Sequence, residues 1–90
     1  MMYIRNVTGS SRFAKPRGYS SWLDYWVTQA RQVAYFCPAC GNSADIVGAH
    51  VQKAYSGDNR WYIVPLCSSC NKRTDTFNVS ATLVPVPSNL

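Results

Sequence analysis

Cys37-Pro38-Ala39-Cys40-Gly41-Asn42 and, 26 residues beyond Cys40, Cys67-Ser68-Ser69-Cys70 are the stretches on which the fold turns. A two-residue spacer lets both sulfurs of a pair reach one ion while backbone N–H groups face the thiolates. Gly41 suits the unusual backbone angles that such a knuckle needs. Two pairs complete a sulfur tetrahedron, which suits zinc and leaves no open position for a substrate. Iron in a rubredoxin-like site accepts the same ligand set. A thioredoxin-type redox centre needs one pair at a strand–helix junction of a βαβ unit, and two matched pairs argue against it. The reading is one structural zinc on Cys37, Cys40, Cys67 and Cys70.

The segment between the pairs reads as extended chain. Ile46 to Val51 is predicted as a strand, Ser56-Gly57-Asp58-Asn59 as a turn, and Trp61-Tyr62-Ile63-Val64 as a second strand by its aromatic and β-branched content. Cys70 opens a short helix through Asn71, Lys72 and Arg73. Upstream, Ser20 or Ser21 caps a helix over 21–33, with Asp24 in its first turn. Trp22, Leu23, Trp26, Val27, Ala30 and Val33 follow helical spacing. Trp22 and Trp26 share a face, which reads as core packing the helix onto the metal unit; aromatics can also serve as a base-stacking platform. Tyr3 to Val7 is a candidate short strand, and Thr82 to Val86 a candidate edge strand.

Ninety residues make one domain of modest core, for which a metal is a common support. Within it, 1–34 is a basic segment and helix, 35–78 the zinc-binding unit and 79–90 a tail. Nothing in the first residues reads as a signal peptide, and no stretch is long and apolar enough to cross a membrane. A reducing, cytoplasmic setting is the expectation, in which paired cysteines bind metal. Nine Lys and Arg stand against four Asp and Glu, a formal net charge of +5. That excess favours a polyanion, nucleic acid above all, or an acidic protein surface. Arg12, Lys15 and Arg17 in the first segment, and Lys53, Arg60, Lys72 and Arg73 around the cysteines, are the candidate phosphate contacts.

The central motifs resemble those of zinc-bearing HNH endonucleases: Cys37-x-x-Cys40, then Gly48-Ala49-His50-Val51, then Leu66-Cys67-Ser68-Ser69-Cys70-Asn71-Lys72-Arg73. The likeness covers residues 35–75 and is nearest to the branch, including phage junction-resolving endonucleases, that ends in asparagine. It implies an α+β fold, a small zinc-stabilised ββα (treble-clef) unit preceded by an amphipathic helix. It also implies that His50 is the base activating water and Asn71 a ligand to a catalytic Mg²⁺ or Mn²⁺. The family's acidic metal ligand falls on Ala49, which cannot coordinate a cation. Its middle asparagine falls near Tyr62, with Asn59 displaced toward the turn.

Three readings of His50, the sole histidine, stand side by side: a surviving base, a nucleic-acid or protein contact, or a side chain satisfied beside the zinc knuckle. Asn71 has a second reading as a helix cap, and Asp45 or Asp58 offers a displaced carboxylate. Three functions follow. The first is a degenerate HNH-like module that binds nucleic acid, DNA ahead of RNA, or a nucleoprotein without cutting. The second is a metal-dependent endonuclease. The third is a small protein-interaction or inhibitor module of phage or mobile-element type, anchored by Trp22, Tyr25, Trp26, Trp61 or Tyr62.

Overall fold

The computed structural model describes residues 2–7 and 17–86. Five strands form one antiparallel sheet: β1 (Met2–Asn6), β2 (Ile46–Lys53), β3 (Tyr62–Cys67), β4 (Phe77–Val79) and β5 (Val84–Pro85), in the order β4-β1-β2-β3-β5. One helix, α1 (Trp22–Ala30), lies between β1 and β2 in the chain. It is not a ββα treble clef with a helix in front. Where that fold needs a helix after the last cysteine, the chain makes a single 3₁₀ turn, Cys70–Lys72. Beyond it Asp75 grips Arg73, and Phe77 and Val79 then extend to pair with β1. The apolar side chains Phe77 and Val79 alternate into the core, which favours a strand over a continued helix.

The hairpin of β2 and β3 forms the centre, in register from Ile46↔Cys67 to Val51↔Tyr62. Each strand runs past its predicted end, β2 to Lys53 and β3 to Cys67. Successive side chains alternate between faces. Ile4, Ala49, Val51, Tyr62, Val64, Leu66, Phe77 and Val79 meet on one face, and Cys37, Cys67 and Cys70 join the same core cluster. Because β3 and β4 lie three places apart in the sheet, residues 68–76 cross this face. Asn6 Nδ2 holds the crossing by donating to Cys70 O and Arg73 O, both at 2.9 Å.

The opposite face takes α1. Ser21 Oγ caps it by accepting from Asp24 N at 3.0 Å, and Asp24 Oδ2 accepts from Ser20 N at 3.2 Å, so two otherwise orphaned donors are satisfied. The helix stops short of the predicted 33, because Arg31 turns left-handed at φ 56° and Val33 lies exposed. Trp22 and Trp26 are buried against Ile63 and Val84 on the sheet, not against the cysteines. Trp26 Nε1 donates to Thr82 O at 2.8 Å, tying the helix to the segment before β5. Among the described residues, no helix is long and apolar enough to cross a membrane.

Candidate metal centre

The first knuckle closes on itself. Gly41 N donates to Cys37 O, and Cys37 N to Asn42 O, both at 2.8 Å. Gly41 sits at φ +82°, a conformation that glycine adopts without a Cβ penalty. Asn42 Oδ1 then accepts from Ala44 N at 3.1 Å, an Asx turn leading toward β2. The second knuckle begins on the last residue of β3, where Cys70 N lies 3.5 Å from Cys67 Sγ and points a donor at it. Lys72 N to Ser69 O and Arg73 N to Cys70 O complete the turn. Since Ile46 pairs with Cys67, the two knuckles meet at the open end of the central hairpin.

All four sulfurs lie within 4.8 Å of one another, and Cys40 and Cys67 approach to 3.6 Å. A tetrahedral ion with metal–sulfur bonds of about 2.3 Å has edges of about 3.8 Å, so the cluster is sized to close on one ion. No disulfide links the four; Cys37, Cys67 and Cys70 are buried and Cys40 is exposed. The Cys70 N–H pulls the Cys67 thiol down to about 7. Burial, helped by the Cys67 thiol beside it, pushes Cys70 up to about 12. Thiols this close resist joint ionisation, and a cation between them removes the conflict by replacing their protons. These four residues can hold a metal ion.

The HNH-like positions do not come together. His50 points to the helix face, its ring edge-on to Trp22 at 4.8 Å and to Trp61 at 6.5 Å, and it is 4 % exposed. Burial pushes its pKa down to about 4, so the imidazole is neutral at pH 7. Ala49 faces the other way, into the core beside Val64. Asn71 lies on the 3₁₀ turn that crosses that other face. The sheet therefore separates His50 from Asn71.

The basic residues are scattered. Asp58 takes both Lys53, at 3.7 Å, and Arg60, whose Nε and NH2 reach its two oxygens at 3.1 and 3.2 Å. Tyr62 also donates to Asp58, and with Arg60 holds its carboxyl well below the usual carboxylate range. Arg73 is paired with Asp75. Arg17 and Lys72 are exposed. Arg12 and Lys15 lie outside the described residues.

Two residues that matter here escape a motif reading. Asn6, forty residues or more from either knuckle-bearing strand end, braces the second knuckle with its amide; nothing local in the sequence announces it. Gly48 lets α1 touch the sheet, and a lone glycine inside a strand pattern is a sign of such close approach. No family model, curated protein or solved structure matches the chain.

Proposed function

We propose that this chain is a zinc-stabilised module that binds nucleic acid without cutting it. The observation that carries the reading is the closed set of four thiols at the mouth of the central hairpin, within 4.8 Å of one another. Zinc suits an all-sulfur tetrahedron, and such a site has no vacant position for a substrate. Bound there, it would supply folding energy and no Lewis-acid chemistry, with Cys37, Cys40, Cys67 and Cys70 as ligands.

Non-cleaving behaviour is supported by the placement of His50, buried and neutral on the face away from Asn71. The nucleic-acid partner is supported by the charge. All four acids are aspartates: Asp58 and Asp75 are neutralised locally and Asp24 caps a helix, while nine basic residues leave a net +5. Binding driven by that excess weakens steeply as salt rises, because the counterions it displaces from the phosphates gain less by release into a saltier solution.

The test has two parts. Titration of the reduced, metal-free chain with Co²⁺ should produce the intense sulfur-to-cobalt charge-transfer bands of a four-thiolate site, and one equivalent of Zn²⁺ should bleach them. The zinc-loaded protein should then retain labelled DNA at low salt, and leave plasmid and branched DNA intact in Mn²⁺. Cleavage lost in His50→Ala would replace this reading with the endonuclease. Absence of binding to any nucleic acid would turn the search to a protein partner.

A further inference from the structure

Helix α1 packs on β2, β3 and β5, so it covers one half of its face of the sheet. On the remaining half, Tyr3 and Arg5 are exposed while Gln52 and Asn78 beside them are half-buried. Tyr3 and Arg5 stand on β1 beside each other, both exposed, on the side opposite the buried Ile4. Gln52, directly across from Arg5, accepts from its NH2 at 3.1 Å and is itself fixed by donating to Asn59 O at 3.0 Å. Tyr55, held at φ 59° on the turn after β2, lies across β1. Its ring meets Tyr3 edge-on at 5.8 Å and its hydroxyl reaches Thr76 Oγ1 at 3.1 Å.

Two features are unusual for a solvated face. Tyr55 is 82 % exposed and Tyr3 50 % exposed, yet the two rings meet edge-on and the Tyr55 hydroxyl is anchored on Thr76. Arg5 donates to the Gln52 amide, and among the described residues it meets no carboxylate, whereas Lys53, Arg60 and Arg73 are each paired with an aspartate. Pre-placed rings with an uncommitted guanidinium beside them match what a single strand offers: unstacked bases with π-faces, and a phosphate between them. A duplex keeps its bases stacked and presents only phosphates to such a surface.

Resting on the nucleic-acid reading above, we infer that Tyr3 and Tyr55 form a stacking platform for single-stranded nucleic acid, with Arg5 at the intervening phosphate. The chemistry is common to DNA and RNA, because the rings contact bases and the guanidinium a phosphate, neither of which involves the 2′-hydroxyl.

The experiment is fluorescence anisotropy of the zinc-loaded chain with a labelled oligo-dT dodecamer, an oligo-U dodecamer and a duplex of the same length. Both single strands should bind more tightly than the duplex. Tyr3→Ala with Tyr55→Ala should weaken single-strand binding by about tenfold or more, with a cooperative melt retained because neither ring lies in the core. Tyr3→Phe with Tyr55→Phe should keep most of the affinity, since the ring faces remain. Comparable affinity for the two single strands is expected, since the platform does not read the 2′-hydroxyl. Equal affinity for duplex, or unchanged binding by the alanine pair, overturns the platform while leaving nucleic-acid binding in force elsewhere on the surface. Failure to bind any of the three overturns both and leaves these rings to a protein partner.

Discussion

Replacing Gly48 by alanine should cost this small protein a large part of its stability. A Cβ at Gly48 would stand 2.5 Å from Leu23 N, 2.6 Å from Trp22 C and 2.8 Å from Trp22 Cβ. Two of those three atoms are backbone in the first turn of α1, so no rotamer change relieves them. Restoring an ordinary contact of 3.4 Å requires the helix start to retreat by about 0.9 Å. That turn is tied at several points: by the Ser21 cap, by Trp22 against His50, and one turn on by Trp26 donating to Thr82 O. Overpacking of this kind costs about 1–3 kcal/mol, and a backbone clash belongs at the upper end. The better strand propensity of alanine returns about 0.5–1 kcal/mol. A net loss of about 2 kcal/mol is expected, equal to a melting point lower by roughly 8–16 °C for a domain of this length. Urea titration of the zinc-loaded protein, followed by tryptophan fluorescence, measures it directly, because Trp22 and Trp26 both sit at the displaced interface. Gly57→Ala is the control: nothing lies within 4 Å of its added Cβ, and it should change stability by less than about 0.5 kcal/mol. If Gly48→Ala matched that control, the close approach of helix and sheet would be wrong.

Cys67→Ser should abolish cobalt charge-transfer intensity and the cooperative melt together, since in small metal domains the ion's binding energy is folding energy; a variant that melts like the native chain would break that coupling. Asn6→Ala should destabilise by about 2 kcal/mol, because it removes the side-chain donor from Arg73 O and one of two donors from Cys70 O, and should weaken metal retention in a chelator competition. An unchanged chelator midpoint would show that the second knuckle holds its shape without this brace. His50 makes the fold acid-sensitive. Its folded pKa of about 4 lies below its ordinary 6.5, so the unfolded chain takes up a proton that the folded one refuses. The stability it confers is complete above pH 6.5, falls by about 1.4 kcal/mol per pH unit below that, and levels off near pH 4. Thiolate protonation is common to native protein and His50→Phe, so the difference between their denaturation midpoints across pH 7 to 4.5 isolates the imidazole. Parallel curves would mean that His50 is solvated.

The metal cluster is legible in the sequence because its chemistry is local. A two-residue spacer brings two sulfurs together whatever the rest of the chain does, and the hairpin between Cys40 and Cys67 needs only its own β-branched run. The helix is legible for the same reason, from Ser21 to Ala30. The strands near Tyr3–Val7 and Thr82–Val86 are also legible, as β1 and the edge strand β5. What lies beyond reach is β4 and the order in which the outer strands pair. β1 pairs with β4 across more than seventy residues, and β4 is three residues long, too short for an alternating pattern to stand out. The resemblance to HNH endonucleases describes the motifs but implies a helix after Cys70, where Arg73, Asp75 and Phe77 carry the chain away as a crossing and an edge strand. His50 shows the same limit: its place in the motif suggests a base, while its alternation in β2 puts it under Trp22.

The two outermost strands, β4 and β5, both come from Phe77–Pro85, a stretch of nine residues that borders the sheet on its left and on its right. Until that stretch docks, β1, β2 and β3 form a ribbon with raw hydrogen-bonding margins on both flanks, each able to template another chain. Deleting it strips Phe77, Val79 and Val84 from the core and unseals two borders at once. A chain shortened before Phe77 should therefore both loosen and polymerise through its bared margins, and Pro85, which cannot donate to a neighbouring strand, serves as a stop against lateral growth at one border.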